Sequence, residues 1–487
     1  MRSILEEGET CWKVARADKL SVIVDAADFF RLARQAMLKA KRSIMLIGWD
    51  FDTRIDLVPG KSNDEVPDRL GSFLNWLAKR NDQLDVRILK WDMGLVSSLV
   101  RGETPFYMLG WMFSDRIHLR LDSAHPLSSA HHMKLLVIDD QIAFCGGIDM
   151  TVGRWDTTDH LEQDKRRRSP LGFAQSPWHD ATTCFSGPAA AALADLARSR
   201  WQAATDEKLD PVETGQDAWP DELEADFRDV DIGIARTLPE YGERRQAVEI
   251  ETATLAIIAA VERTLYIESQ YFASRRIAQA IAGRLAEPDG PEVILINPEG
   301  ANGWLEAKAM DSARIRLMKL VRKADAFDRF RVLYPVNDAG TSIYVHAKIM
   351  IADDRVLKLG SANLNNRSMG YDTECDILVE AKAGEDAVAE TIAAHRNELV
   401  AEHLGCTRED VSTAIAELGS LRQAIETLTQ TTGRRLVAVP TRELSMAEEL
   451  LAESDLADPE RPSGVRYRTA DFLKRHFPRL KRGSHHR

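Results

Sequence analysis

The sequence predicts an α/β protein made of two similar α-β-α sandwich halves in one chain, related by pseudo-twofold symmetry, with the active site between them. Helical patterns alternate with short apolar strands in both halves, as in sheets covered by helices on both faces. The pattern His-x-Lys-x4-Asp occurs twice, beginning at His132 and at His346. Each copy opens a strand–turn–strand pattern that ends in two small residues, which indicates an internal duplication.

The first half follows apolar periodicity from helix to strand and back. A long polar segment, 154–177, interrupts it after the first motif and is predicted to be a surface loop. An acidic stretch at 206–225 contains Pro211, Gly215 and Pro220 and is predicted to be a linker. The elements predicted before that linker are a helix at 25–41, a strand at 43–48, a helix at 67–79, a strand at 85–90, the strand–turn–strand of the first motif, a strand at 181–185 and a closing helix at 189–204.

The second half repeats this order, which sets the predicted domain boundaries. They are 1–205 for the first half, 206–225 for the linker, 226–408 for the second half and 409–487 for a helical extension with a basic tail. Apolar residues over 411–428 form one helical stripe expected to pack on the body. The elements predicted for the second half are a helix at 249–262, strands at 264–268 and 292–296, a helix at 305–324, strands at 349–351, 356–359 and 375–379, and a helix at 385–403.

Composition narrows the classes of function. The 487 residues carry a net charge of −12 at pH 7, which argues against broad affinity for nucleic acid. Five scattered cysteines give no disulfide framework and no metal-ligand spacing. The N-terminal residues do not read as a signal peptide, and no apolar run is long enough to cross a bilayer. We expect a cytoplasmic or peripheral membrane protein, with secretion without a cleaved signal left open.

The two motifs resemble those of the phospholipase D superfamily, in which two such motifs build one active site. The resemblance extends from about residue 20 to 405. It includes the phospholipid-cleaving branch's signature in Ile267-Glu268-Ser269-Gln270-Tyr271-Phe272. Three further segments also match that branch: Gly147-Ile148-Asp149, Gly153-Arg154-Trp155-Asp156 and Trp178-His179-Asp180.

The resemblance implies metal-free phosphodiester chemistry with no cofactor. His132 is assigned as the nucleophile and His346 as the general acid and base, although the sequence symmetry leaves this order open. Lys134 and Lys348 neutralise the phosphate oxygens. The other predicted substrate-binding residues follow the two motifs at matching offsets: Ser361 and Asn363 in the second half, and Gly147 and Asp149 in the first.

Each histidine is expected to donate its Nδ1 proton to a carboxylate that fixes the ring. Superposing the halves selects Asp180 as the partner of His132 and Glu374 as the partner of His346. Such a carboxylate should raise the histidine pKa. The motif residues Asp139 and Asp353 lie beyond an apolar strand, too far for direct chemistry, and are expected to fix turns.

The predicted activity is that of a phospholipase D. It would hydrolyse a glycerophospholipid at a membrane surface to phosphatidate and a free headgroup, with water or an alcohol as acceptor. A cardiolipin synthase-like phosphatidyltransferase is the alternative within the superfamily, and a nuclease of the same fold is a weaker one. A non-enzymatic scaffold would tolerate loss of His or Lys, and both motifs are intact.

The chain is expected to be a monomer. The 154–177 loop is either a solvated charge run or a rim that meets lipid headgroups, and the basic residues 472–487 are either a solubilising tail or an interfacial anchor.

Overall fold

The computed structural model describes residues 3–60, 65–92, 107, 110, 111, 113–126, 129–215, 217–301, 305–443, 445 and 458. The basic segment predicted at 472–487 lies outside the described residues, as does most of the region after 443. Within the described ranges, none of the helices combines the length and apolar character needed to cross a membrane.

One large mixed sheet organises the molecule. In the described residues it has sixteen strands, and a separate two-stranded sheet joins β7 to β14. The strands are β1 Lys13–Val24, β2 Ser43–Gly48, β3 Asp85–Trp91, β4 Ile117–Asp122, β5 Leu135–Ile138, β6 Ile142–Gly146, β7 Trp178–His179, β8 Ala181–Ser186, β9 Phe227–Leu238, β10 Ala247–Val248, β11 Thr264–Glu268, β12 Glu292–Ile296, β13 Phe330–Val336, β14 Tyr344–Val345, β15 Ile349–Ala352, β16 Val356–Gly360, β17 Glu374–Glu380 and β18 Arg435–Ala438. The strands that flank the motifs, β5, β6, β8 and β15–β17, are buried along their whole length.

The strand order repeats outward from the centre of the sheet. On one side it runs β1-β8-β6-β5-β2-β3-β4, and on the other β9-β17-β16-β15-β11-β12-β13, with β18 added at that edge. Parallel and antiparallel pairings also match at each step: β2-β3-β4 and β11-β12-β13 are parallel, while the inner pairs are antiparallel. The two halves therefore share one topology, joined by the antiparallel pair β1 and β9.

Helices cover both faces of this sheet. Helices α3 and α8–α10 share one apolar core that spans both halves. Helices α1 and α2 pack on the opposite face of the first half, and α4–α6 on that of the second. The helices are α1 Ala26–Lys39, α2 Leu70–Arg80, α3 Pro188–Thr205, α4 Glu249–Ala260, α5 Arg275–Leu285, α6 Leu305–Ala324, α7 Asn366–Gly370, α8 Asp386–Leu404, α9 Arg408–Leu418 and α10 Leu421–Leu428.

The predicted α/β fold of two α-β-α halves is confirmed, although β4, β13, β18 and α5 were not among the predicted elements. Sequence analysis did not find β1 and β9, the strands that join the halves. The apolar stripe at 411–428 is not one helix, because Gly419 takes a left-handed conformation (φ 66°) and Ser420 caps a second helix. The described residues of 206–225 form no helix or strand. The domain boundaries themselves remain a prediction.

Candidate active site

The backbone of each motif histidine is hydrogen-bonded to the opposite half of the chain. The backbone N–H of His132 donates to the carbonyl of Thr373 at 3.0 Å, and that of His346 donates to the carbonyl of His179 at 2.7 Å. In the second case the short strands β7 and β14 pair in parallel just before the histidine. Each motif histidine therefore lies beside the residues that precede a strand of the opposite half. Superposition of the two halves had assigned those residues to the other histidine.

This crossover exchanges the predicted carboxylate partners. Nδ1 of His132 lies 2.9 Å from Oε2 of Glu374, and Nδ1 of His346 lies 2.6 Å from Oδ2 of Asp180. The prediction that Asp180 orients His132 and Glu374 orients His346 is therefore wrong. The superposition correctly found two equivalent carboxylates, but each reaches across the interface between the halves. Both carboxylates are fully buried. With Nδ1 donating to a carboxylate, Nε2 of each ring is left for chemistry.

The two motif lysines differ in their counter-ions. Nζ of Lys134 donates to the carbonyl of His132 at 2.8 Å and lies 3.2 Å from Oδ2 of Asp149. Nζ of Lys348 donates to the carbonyl of His346, and no carboxylate lies within ion-pair distance of it among the described residues. Asp149 was predicted to bind substrate. Its carboxylate instead pairs with Lys134 and accepts from the backbone N–H of Trp49 at 3.0 Å.

Two small residues make room for the carboxylates. A Cβ on Gly147 would lie 2.1 Å from Oδ1 of Asp180, so only glycine fits there, and its N–H already donates to the carbonyl of Ala181. Ser361 is the equivalent residue of the second half, and its hydroxyl donates to Oε2 of Glu374 at 2.5 Å. Both were predicted to bind substrate, but in the structure their contacts are to the carboxylates.

Asn363, the remaining predicted substrate-binding residue, has the unfilled hydrogen-bonding capacity that a binding role requires. It is buried, and its Oδ1 has no hydrogen-bond partner within the part of the chain that the structure describes. An amide oxygen accepts hydrogen bonds, so it suits a substrate hydroxyl or a water better than a phosphate oxygen.

Burial sets the protonation of the site. Desolvation lowers the pKa of His132 well below its usual value, and the charges of Lys134 and Lys348 lower it further. The pKa of His346 is also lowered well below its usual value, again chiefly by burial. Burial raises the pKa of Glu374 to about 7. The expectation that the carboxylates raise the histidine pKa values is therefore wrong, because two nearby cations and desolvation outweigh them.

The lowered histidine pKa values set the sign of the histidines' effect on stability as pH changes. A histidine whose folded pKa is lowered contributes stability that is fully present above its unfolded pKa of about 6.5 and is lost as pH falls below it. Both rings are consequently neutral in the empty site near pH 7. A neutral imidazole has a free lone pair on Nε2, which is the form needed for attack on phosphorus.

Asp139 and Asp353 lie at the far end of the strands that follow each motif. The carboxylate of Asp139 accepts from the backbone N–H groups of residues 41, 42 and 43 at 2.7–2.8 Å. Asp353 does the same with residues 262, 263 and 264 at 2.8–3.0 Å. Both residues have positive φ, 52° and 53°. Each carboxylate therefore fastens a tight turn to the start of the neighbouring strand.

Comparison with known proteins finds similarity to one superfamily. Residues 255–399 match the family model "Cardiolipin synthase, PLD-like domain". The chain is 26% identical to phospholipase D A of Dictyostelium discoideum over 471 residues, covering 80% of the chain and 36% of that protein. It is 24% identical to phospholipase D1 of Saccharomyces cerevisiae, covering 79% of the chain and 28% of that protein.

The chain is thus similar to proteins of the phospholipase D superfamily over about four fifths of its length. It spans about a third of the length of the two relatives just named, and 64% of phospholipase D alpha 4 of Arabidopsis thaliana, to which it is 22% identical. Among solved structures it is similar to phosphatidylserine synthase of Haemophilus influenzae, with a TM-score of 0.53 and 13% identity. That alignment covers 85% of this chain and 96% of the other. At this identity the likeness concerns the fold.

Further residues lie in the site that were not predicted there from the sequence. The guanidinium of Arg154 lies 4.2 Å from the ring centroid of Trp178, which is 5.1 Å from the ring of His346. Trp178 also stacks on Tyr344 at 4.6 Å. The charge of Arg154 contributes to lowering the pKa of His346. Arg154 and Trp178 both fall in segments that carried the family resemblance, and that was the available signal.

The 154–177 loop is only partly the surface segment that was predicted. Asp156 and Arg167 are buried within it and form an ion pair at 2.7 Å. His160 is also buried, with Nδ1 2.9 Å from Oδ2 of Asp156. Further along, Leu171 and Phe173 are 75% and 67% exposed. The loop therefore has a buried, charged base next to the site and an apolar, exposed tip.

Proposed function

We propose that this chain is a phospholipase D-type phosphodiesterase. It hydrolyses glycerophospholipids to phosphatidate and a free headgroup, and transfers the phosphatidyl group to alcohols. The observation that carries this proposal is the pair of crossed histidine–carboxylate contacts, each beside a motif lysine. Two imidazoles with free Nε2 atoms and two buried ammonium groups supply a nucleophile, a proton donor and charge stabilisation for a phosphodiester.

The first step forms a phospho-histidine. Nε2 of His132 attacks phosphorus, the phosphorus–oxygen bond to the headgroup breaks, and its electron pair goes to the leaving oxygen. Nε2 of His346 gives that oxygen a proton. The anionic phosphate favours the charged form of His346, which restores the proton that burial removes in the empty site. Lys134 and Lys348 offset the charge on the phosphate oxygens.

The second step regenerates the enzyme. His346, now neutral, takes a proton from water or an alcohol, whose oxygen attacks phosphorus. The phosphorus–nitrogen bond breaks and its electron pair returns to Nε2 of His132. Both halves of one chain supply the site, so the proposed active form is a monomer.

Product analysis tests this function. The purified chain is incubated with defined phospholipid vesicles, with and without glycerol. Release of free headgroup together with phosphatidate supports the proposal, and in glycerol part of the phosphatidate is replaced by the glycerol ester. The matched family model favours a phosphatidyltransferase as the second candidate. Formation of a cardiolipin-type product from phosphatidylglycerol, without hydrolysis, would establish that candidate. Absence of all these products would contradict both.

The exposed tip of the 154–177 loop should be needed for activity on membrane substrates but not for the chemical step. Replacing Leu171 and Phe173 by serine together should lower the rate on vesicles by roughly tenfold or more, because each apolar side chain contributes about 1.5–3 kcal/mol when buried in lipid. The rate on a short-chain phospholipid below its micelle concentration should not change. Phe327→Ser is the matched control, because Phe327 is also exposed and precedes β13 at the end of the sheet away from the histidines. Equal losses on both substrates would contradict a membrane role.

The reaction should slow on the alkaline side because of Lys348. Burial, with contributions from Lys134 and Arg154, lowers its pKa to about 7, while the charges of Asp180 and Glu374 act in the other direction. Above that pH the empty site loses a positive charge, so kcat/KM should fall by up to about tenfold per pH unit. A pH profile with short-chain substrate measures this.

A variant shows whether Lys348 or Glu374 causes the alkaline fall in rate, because burial brings the pKa of Glu374 up to about 7 as well. The alkaline limb should persist in Glu374→Gln, which keeps the lysine and has no carboxyl group to titrate. Disappearance of the limb in that variant would assign it to Glu374 and contradict the prediction.

A further inference from the structure

Four side chains that share a buried position behind the catalytic histidines remain unused by the proposed mechanism. They are Asp25, His160, His179 and Glu402, and each offers one atom within 4.8 Å of all the others. Asp25, His160 and His179 are at most 1% exposed, and the side chain of Glu402 is 7% exposed. Sequence analysis predicted no metal because these residues come from four separate segments, so their spacing along the chain carries no signal.

The separations within this cluster are those of ligands around one small ion. Oε1 of Glu402 lies 3.0 Å from Nε2 of His160 and 2.8 Å from Nδ1 of His179. The carboxylate of Asp25 lies 3.4 Å from each of the same nitrogens. Ligands at about 2.0–2.2 Å from a tetrahedral zinc ion are about 3.3 Å apart. The carboxylate–imidazole separations lie within about 0.5 Å of that value, and all four ligand atoms lie within 4.8 Å of one another.

Two atoms in the cluster lack the hydrogen bonds that burial demands. Among the described residues, neither Oδ2 of Asp25 nor Nδ1 of His179 makes a hydrogen bond of good geometry, although Oε1 of Glu402 lies 2.8 Å from that Nδ1. Asp25 also stands at the N-cap position of α1 without accepting a hydrogen bond from the helix, and has a φ of 64°. An aspartate there ordinarily caps the helix. Its Oδ1 instead accepts from the backbone N–H of Asp180 at 3.0 Å, and the carboxylate faces the two histidines with the backbone in an uncommon conformation.

The outer nitrogens of both histidines are held by carboxylates. Nδ1 of His160 is 2.9 Å from Oδ2 of Asp156, and Nε2 of His179 is 2.8 Å from Oε2 of Glu268. Metal-bound histidines nearly always have such a partner on the other nitrogen, because it fixes the tautomer and strengthens the ligand. The carboxylates of Asp25 and Glu402 add two negative charges, which a divalent cation would balance.

We propose that Asp25, His160, His179 and Glu402 bind a divalent transition-metal ion, with Zn²⁺ the ion that two imidazoles and two carboxylates in this arrangement fit best. The ion joins the halves, since Glu402 lies on α8 of the second half and the other three ligands belong to the first. It also fixes the region next to the active site. His179 precedes Asp180, and the carbonyl of His179 accepts from the backbone of His346. The role is structural, and the phosphate is not a ligand.

Metal analysis of the full chain, purified without a histidine tag, tests the proposal. After saturation with Zn²⁺ and gel filtration, we expect about one zinc ion per chain in the wild type and its loss in Glu402→Gln. Glu398→Gln is the matched control, because Glu398 is exposed one turn earlier on the same helix. Co²⁺ in place of Zn²⁺ should give the visible absorption of a tetrahedral nitrogen–oxygen site in the wild type and the control.

A second measurement keeps the test valid if Glu402→Gln folds poorly. Wild-type chain dialysed against a chelator should lose the ion, and its thermal midpoint should rise again on addition of Zn²⁺. No zinc in the saturated wild type, or the same zinc content in Glu402→Gln and Glu398→Gln, would overturn the proposal. Metal content is measured without an activity assay, so failure here is distinct from failure of the proposed phospholipase activity.

Discussion

His132→Ala and His346→Ala should each reduce turnover by on the order of 10⁴-fold or more. Each histidine supplies one reacting nitrogen, and the internal repeat provides no second copy of either role, because the two halves contribute one histidine each to a single site. Headgroup release from saturating phospholipid measures the loss. Near-native turnover in either variant would show that the site does not need both halves.

His395→Ala is the control for this pair. His395 lies on α8, is partly buried, and forms an ion pair with Asp226 at 3.3 Å. The substitution removes the same ring from a packed position away from the motifs. We expect it to retain native turnover, so a large loss there would show that the measured effects reflect folding.

Acid quenching assigns the two roles. His346→Asn lacks the group that activates water, so a phospho-enzyme should accumulate on His132 when the substrate has a good leaving group. His132→Asn should form none. The reverse pattern would exchange the assigned roles and leave the two-histidine mechanism in place.

Local patterns were enough to predict the fold. The strands Ser43–Gly48 and Thr264–Glu268 have the bounds predicted from the apolar runs that they contain. The motif repeat was enough to predict the duplication, because equivalent residues in the two halves keep the same spacing. The long strands β1 and β9 were missed because charged residues alternate irregularly with apolar ones along them. Their identity as strands depends on pairing with each other.

The partners of the histidines depend on information that the repeat does not contain. Superposing two halves identifies equivalent positions, such as Asp180 and Glu374, but not which half each side chain reaches. That choice is made by contacts between residues more than 160 positions apart, including the two-residue pairing of β7 with β14. The histidine pKa values were wrong for a related reason. Their sign depends on burial and on the lysine of the other half, neither of which is visible in a local motif.

The crossed pairing predicts which step each carboxylate variant impairs. Glu374→Gln should slow formation of the phospho-enzyme by roughly ten- to a hundred-fold, because it disturbs the orientation of the nucleophile His132 while leaving Nε2 in place. Asp180→Asn should cause a loss of similar size through His346, the proton donor. Glu380→Gln, also a buried glutamate on β17, is the control for effects on folding, because its carboxylate contacts the N-terminal segment and Arg355.

The nature of the leaving group distinguishes the two variants. A nitrophenolate leaves without needing a proton, whereas the alkoxide of a lipid headgroup needs one. Rapid-quench measurement of phospho-enzyme formation should therefore show Glu374→Gln slow with both kinds of ester. Asp180→Asn should be slow with the alkyl ester and close to native with the nitrophenyl ester. The opposite pattern, combined with a phospho-enzyme trapped on His132, would mean that Glu374 acts through His346 after all. The orientation of both rings in solution would then differ from that in the structure, in which Glu374 contacts His132 and Asp180 contacts His346.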